Sequence, residues 1–174
     1  MRSLVVYYSL FGNTQRIAEA IAERLESEGA VRVVRADQLT SSDLDGVDLM
    51  VLGSPTHRMN VPETVRPILE ALPKGALQDA SFAAFDTSYK MSLLLSRFTA
   101  VPKLARRLRK LGGRPLVSPE TFHVLGREGP LYDGEIERAR AWVEAIVAEY
   151  NRCREREESA PPRPGQKRGS SRPR

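Results

Sequence analysis

A six-residue segment near the start of the chain combines small, flexible and hydrogen-bonding residues. It reads Ser9-Leu10-Phe11-Gly12-Asn13-Thr14 and lies between a short apolar run and a stretch with helical periodicity. Glycine lets the backbone turn closely around a ligand, hydroxyl and amide side chains can donate hydrogen bonds, and the first amides of a helix are free to donate as well. Because a helix N-terminus also carries about half a unit of positive charge, the segment predicts a phosphate site that needs no lysine within the loop.

Two later segments carry polar and aromatic residues directly after apolar runs. The first reads Gly53-Ser54-Pro55-Thr56, and the second reads Asp86-Thr87-Ser88-Tyr89. If the runs before all three segments are neighbouring parallel strands, their carboxyl ends meet at one edge of a sheet, where ligands of such folds collect. We therefore expect the three segments to converge on one binding site.

The strands that would position these segments are short and rich in β-branched residues. Apolar runs that we interpret as strands cover residues 4–8, 31–35, 49–53, 82–85 and 115–123. Segments with helical periodicity alternate with them, as shown by Ile17, Ile21 and Leu25 between the first two strands. Pro67 predicts a short or kinked helix after the third strand. This alternation is typical of an α/β protein whose parallel sheet is covered on both faces.

The composition predicts one domain followed by a short tail. The chain has 174 residues, of which 41% are hydrophobic, and we assign residues 1–152 to a single domain. Residues 153–174 are basic, rich in proline and arginine and without apolar periodicity, so we predict that they are disordered. The single Cys153 excludes an intramolecular disulfide, and two histidines leave no cluster with metal-ligand spacing. No metal site is expected.

The first apolar run also bears on location. It is five residues long, whereas a membrane span needs about 20 apolar residues. No membrane insertion is therefore expected, and the lack of paired cysteines indicates a reducing compartment. We predict a cytoplasmic protein.

The first segment, S-L-F-G-N-T, resembles the phosphate loop of flavodoxins, which is usually written T/S-x-T-G-N-T. The G-S-P-T segment after the third strand is similar to that of flavodoxin-like quinone oxidoreductases. The resemblance covers residues 2 to about 150. It implies a flavodoxin-like fold, with a doubly wound five-stranded parallel sheet in the order 2-1-3-4-5 and helices on both faces, and it implies flavin mononucleotide (FMN) as the cofactor. Phe11 departs from the family pattern, because it replaces the usual hydroxyl residue.

In the family, the second and third loops enclose the isoalloxazine ring. The resemblance makes Tyr89 the candidate to stack on the ring, with His57 and Met59 on its other side. The second loop has no glycine after Thr56, and in flavodoxins a glycine there eases the backbone flip that stabilises the one-electron-reduced flavin. No residue is assigned as an acid, base or nucleophile, since the redox chemistry belongs to the flavin. The candidate cofactor-binding residues are Ser9, Leu10, Phe11, Gly12, Asn13, Thr14, Ser54, Pro55, Thr56, His57, Met59, Asn60, Asp86, Thr87 and Tyr89.

Positive charge is concentrated in residues 97–114, which contain seven lysines and arginines and no acidic residue. One interpretation is a solvated helix face, the usual fate of a charge run. The other is a docking surface for an acidic redox partner, where such charge mainly speeds encounter. The basic tail has neither a recognition motif nor interleaved aromatic residues, so nucleic-acid binding is not indicated.

Three functions follow from these features, and the sequence leaves open whether the protein is an enzyme. The first is an FMN-binding electron carrier. The second is an FMN-dependent NAD(P)H:quinone oxidoreductase, and the third is a flavin-free interaction module with the same fold. Without a G-x-G-x-x-G segment after the first strand, any NAD(P)H would have to bind over the flavin.

Overall fold

The computed structural model describes residues 1–56, 60–90 and 100–159. Over these residues, six strands form one parallel sheet: β1 (Arg2–Tyr7), β2 (Ala30–Arg35), β3 (Leu49–Pro55), β4 (Ser81–Tyr89), β5 (Arg114–Pro115) and β6 (Glu120–Val124). The order is β2-β1-β3-β4-β5, and β6 also pairs with β4. Because β5 pairs with the start of β4 and β6 with its end, the two segments share the fifth strand position. The predicted α/β fold with strand order 2-1-3-4-5 is confirmed.

The helices cover both faces of this sheet. They are α1 (Asn13–Leu25), α2 (Val65–Ala71), α3 (Ala100–Lys110) and α4 (Glu135–Ser159), counted over the same described ranges. Alternate residues of β1 enter two separate cores, with Val5 on the side of α1 and α4 and Leu4 on the side of α2 and α3. The central strands β1, β3 and β4 are mostly apolar because both of their faces are buried.

Three elements differ from the sequence-based expectation in their limits. β4 continues to Tyr89, so the segment that starts at Asp86 is strand rather than loop, and its residues pair with β3 and β6. The fifth strand is divided between Pro115 and Glu120, since the intervening Pro119 cannot donate a ladder hydrogen bond. α2 has only seven residues, in agreement with the short helix predicted from Pro67.

The last helix is longer than predicted. α4 continues to Ser159, so residues 153–159 are helical and the assignment of a disordered tail from residue 153 was wrong for this stretch. Its apolar stripe ends at Tyr150, and ion pairs stabilise the rest: Arg154 pairs with Glu158, and Glu157 pairs with Arg114 of β5. Residues 160–174 lie outside the described residues. Within the described ranges, every helix is too short or too polar to cross a membrane.

Gly53 in β3 leaves room for the buried side chain of Phe85. A Cβ atom at this position would lie 2.0 Å from Cζ of Phe85, whose ring contacts Phe122 and Trp142 edge to face. We expect Gly53→Ala to lower the free energy of unfolding by about 2–3 kcal/mol through overpacking, as measured by chemical denaturation. Adding Phe85→Leu makes room for the methyl group, so the double variant should lose less than the sum of the two single changes. Additive losses would contradict the proposed clash.

Candidate functional site

A cleft of about 520 Å³ opens at the carboxyl ends of β1, β3, β4 and β6, a size typical of small-molecule sites. Nine of the predicted cofactor-binding residues line it, namely Ser9, Leu10, Phe11, Asn13, Thr14, Pro55, Thr56, Thr87 and Tyr89. Ser88, Val124 and Arg127 line it as well. The three predicted segments therefore converge on one edge of the sheet.

The N-terminus of α1 faces open space at this cleft. Gly12 precedes the helix with φ of +86°, a left-handed conformation that favours glycine. Its carbonyl accepts the first helical hydrogen bond, from the amide of Arg16 at 3.0 Å. A Cβ atom built on Gly12 would meet nothing within 4 Å. The amides of the first helical turn thus begin beside a space that an anion can enter.

The three predicted side-chain donors of the first loop differ in their surroundings. Thr14 and Thr87 share a buried hydrogen bond of 2.8 Å between their hydroxyl oxygens. Asn13 donates from Nδ2 to the carbonyl oxygen of Glu128 at 2.9 Å. Ser9 is only 8% exposed, and its hydroxyl has no hydrogen-bond partner among the described residues. Leaving such a buried group unpaired costs about 1–3 kcal/mol, which a bound phosphate oxygen would recover.

Two predicted cofactor contacts lie beneath the cleft instead of lining it. Asp86 is fully buried, and its Oδ2 accepts hydrogen bonds from the hydroxyl of Thr56 at 2.6 Å and the amide of Val101 at 3.2 Å. The amide of Ala100 donates to Thr56 at 2.8 Å. Ser54 is also fully buried. Asp86 therefore holds the start of α3 against the second loop, and sequence alone did not distinguish this task from cofactor contact.

The remaining predicted residues of the second loop are placed unevenly. His57 and Met59 lie outside the described residues. Asn60 accepts a hydrogen bond from Nζ of Lys103 at 2.9 Å, so its side chain is directed toward α3. It does not line the main cleft within the described part of the chain.

Exposed apolar side chains gather at the mouth of the cleft. Leu10, Phe11 and Tyr89 line it and are 49%, 46% and 47% exposed. Large apolar side chains exposed together mark a binding surface, because water solvates them poorly. A flat aromatic ligand would cover these side chains on entering the cleft.

A fourth connection, between β6 and α4, was missed in the sequence. It contributes Arg127, and β6 contributes Val124. The sequence contains a pattern that could have predicted this connection. Gly126-Arg127-Glu128-Gly129-Pro130 is rich in turn-forming residues and follows the last strand. A parallel sheet brings that connection to the same edge as the other three. In the ranges that the structure describes, no group of three or more potential metal ligands comes together.

An open parallel sheet with this order and a cleft at the carboxyl ends of its strands is typical of the doubly wound class of α/β proteins. The family model described as Flavodoxin matches residues 5–142. The chain belongs to the flavodoxin family, a family of FMN-binding electron-transfer proteins.

Solved structures of low sequence identity share the fold. Oxidised flavodoxin 2 from Bacillus cereus is 18% identical, with a TM-score of 0.71 over 86% of this chain and 99% of the other. A flavodoxin, WrbA-like protein from Agrobacterium tumefaciens is 24% identical, with a TM-score of 0.66 over 87% and 98% of the two chains. A flavodoxin from the domain Archaea is 22% identical, with a TM-score of 0.63 over 87% and 99%. These likenesses establish the shared architecture.

Proposed function

We propose that this chain binds one FMN in the cleft and serves as an electron carrier. The observation that carries the proposal is the open N-terminus of α1 at Gly12, together with the buried hydroxyl of Ser9 in the same loop, which has no partner among the described residues. Together they offer amide and hydroxyl donors and the positive end of a helix dipole to one phosphate group. FMN supplies the capacity to accept and release electrons, and the chain supplies binding and orientation.

The mouth of the cleft suits the ring end of the same cofactor. Tyr89 offers an aromatic face that is 47% exposed, and Leu10 and Phe11 offer apolar surface nearby. Pro55 and Thr56 line the cleft from the second loop. Burial of a flat ring among these residues would exclude water from much of its surface while leaving an edge open for electron exchange.

The residues that line the cleft favour redox chemistry on a flavin over acid–base or nucleophilic catalysis by side chains. Within the described part of the chain they include hydroxyls, one amide and one guanidinium, but no carboxylate, histidine or cysteine. Acid–base or nucleophilic catalysis on a bound substrate generally uses such groups. Electron transfer through FMN needs none of them.

Titration of the purified chain with FMN tests this function. We expect quenching of flavin fluorescence that saturates at one FMN per chain, followed by reversible reduction of the bound flavin. Flavin fluorescence that does not change at any protein concentration would contradict FMN binding. Steady oxidation of NAD(P)H in the presence of a quinone would contradict the carrier role and favour the oxidoreductase.

A cationic groove between α2 and α3 supports an acidic redox partner. The groove measures about 420 Å³, and its charged residues are Arg66, Glu70, Lys103, Arg106, Arg107 and Lys110. Five of these six residues are cations. The hydrogen bond from Lys103 to Asn60 joins the groove to the second loop beside the cleft. An acidic protein docked here would lie next to the proposed flavin site, and long-range attraction would speed its encounter.

Only part of the basic segment contributes to this groove. Arg114 lies in β5 and pairs with Glu157 of α4, and Arg109 is not among the groove residues. Arg97 lies outside the described residues. The proposed docking surface is therefore one face of α3 together with Arg66 of α2. A cytoplasmic location of the protein stays a prediction.

Charge reversal at Arg106 tests the groove. With FMN bound and reduced, Arg106→Glu should slow oxidation by ferricyanide, a trianion, by about threefold to tenfold at low ionic strength, with little effect at high salt. Stopped-flow absorbance measures the rate. Arg16→Glu, an equal charge change at an exposed position of α1, is the matched control and should have a smaller effect. Equal slowing by both variants would contradict a role for the groove.

A further inference from the structure

The connection between β6 and α4 is held directly against the first loop of the cleft. Nδ2 of Asn13 donates to the carbonyl oxygen of Glu128 at 2.9 Å, across 115 positions of sequence. Gly129 has φ of +109°, and a Cβ atom there would lie 2.6 Å from the amide atoms of Asn13. The approach is so close that a side chain at position 129 would displace Asn13. The two segments therefore hold a defined position relative to each other.

The connection is also ordered by its own hydrogen bonds. The amide of Leu125 donates to the carbonyl of Pro130 at 2.9 Å, and the amide of Gly129 donates to the carbonyl of Gly126 at 3.1 Å. Val124 forms an antiparallel bridge to Leu131, which is buried. Arg127 is thus carried on a tight turn with both ends fastened to the fold.

Arg127 is the one charged side chain among the described residues that line the cleft. In the part of the chain that the structure describes, no ion pair or side-chain hydrogen bond engages it. Arg138, on the following helix, instead pairs with Glu120 at 2.7 Å. A guanidinium presents several donors in a planar fork, a geometry that matches the oxygens of a phosphate.

The first loop has fewer side-chain donors for a phosphate than its sequence indicates. Phe11 has no hydroxyl, one hydrogen bond from Nδ2 of Asn13 goes to Glu128, and the hydroxyl of Thr14 shares a hydrogen bond with Thr87. The hydroxyl of Ser9 has no partner among the described residues, and the positive charge of the loop is limited to about half a unit from the helix. A phosphate monoester dianion carries up to two negative charges. A bound dianion would therefore carry more negative charge than the helix offsets, and Arg127, which has no ion-pair partner among the described residues, lines the same cleft.

We propose that Arg127 binds the phosphate of the cofactor, and that the connection between β6 and α4 is a fourth element of the phosphate site. The proposal rests on FMN binding by this chain. Arg127 adds a full positive charge to a loop that otherwise relies on amides and a helix dipole. The contact between Asn13 and Glu128 positions it by joining its turn to the first loop.

Dissociation constants for FMN and riboflavin, which lacks the phosphate, test the proposal. Arg127→Gln should raise the constant for FMN by about tenfold to a hundredfold, the range for loss of a charge-assisted hydrogen bond, and change that for riboflavin by less than about twofold. Arg127→Lys keeps the charge and should recover part of the FMN affinity. The salt dependence of FMN binding should also weaken in Arg127→Gln. Thermal unfolding of each apoprotein verifies that the variants are folded.

Arg16→Gln is the matched control, because Arg16 is exposed on the first turn of α1 and does not line the cleft. It should leave FMN affinity within about threefold of the original chain. Equal losses of FMN and riboflavin in Arg127→Gln would overturn the proposal, as would unchanged affinity for both. An original chain that binds neither flavin would overturn FMN binding itself, and this proposal with it.

Discussion

Replacing Gly12 by aspartate is expected to raise the dissociation constant for FMN by at least about a hundredfold while the apoprotein stays folded. A Cβ atom at Gly12 meets nothing within 4 Å, so the carboxylate would project into the space proposed for the phosphate. Two unit charges about 4 Å apart repel by about 4 kcal/mol at an effective dielectric constant of 20, and a phosphate dianion would be repelled more strongly. Fluorescence titration measures the loss.

Gly12→Asn separates this charge effect from backbone strain. Asparagine and aspartate have similar shapes, and both tolerate the left-handed conformation at φ of +86° better than most residues. The neutral variant should therefore lose no more than about tenfold in FMN affinity, and riboflavin should bind both variants alike. If Gly12→Asp bound FMN as tightly as Gly12→Asn, the phosphate would not lie at the start of α1.

Truncation of Tyr89 to alanine is the second change with a large expected effect. Tyr89 lines the mouth of the cleft and is 47% exposed, so a stacked flavin would bury much of this exposed surface. Burial and stacking together correspond to about 2–3 kcal/mol, or a rise of about 30-fold to 150-fold in the dissociation constant. Because the ring is common to both flavins, we expect FMN and riboflavin to lose affinity equally, as measured by parallel titrations.

Tyr89→Phe keeps the aromatic face and is the control for this prediction. It should bind both flavins within about threefold of the original chain, since stacking does not need the hydroxyl. A loss confined to FMN in Tyr89→Ala would place Tyr89 at the phosphate instead of the ring. The two ends of the cofactor can thus be located independently, because Gly12 should discriminate between FMN and riboflavin and Tyr89 should not.

Several features of the fold are local enough to be predicted from sequence. Strands buried on both faces produce continuous apolar runs, and a helix that covers one face repeats its apolar residues every three or four positions, as Ile17, Ile21 and Leu25 do. The first loop could also be predicted, since Gly12 and its hydrogen-bonding neighbours lie between such a strand and such a helix. Strand order then followed from the resemblance and is confirmed by the pairing.

The structural roles of the polar residues at the strand ends could not be predicted in the same way. Asp86 is a residue type expected in a ligand-binding loop, yet it is fully buried and holds the start of α3. Thr14 has a hydroxyl suited to phosphate, yet it shares its hydrogen bond with Thr87, 73 positions away. A carboxylate or hydroxyl has the same chemistry whether it meets a ligand or another segment of the chain. Only the three-dimensional neighbours distinguish the two cases.

The class of fold and the position of the first loop could be predicted from sequence, because periodicity and turn-forming residues act over a few neighbouring positions. Which groups remain available at the cleft depends on the packing of the whole fold. Asn13 binds Glu128, Arg127 lies at the edge of the cleft, and the hydroxyl of Ser9 has no partner among the described residues. The placement of Asn13 and Arg127 depends on a contact between segments 115 positions apart. Such contacts are set by how helices and strands pack, which no local pattern records.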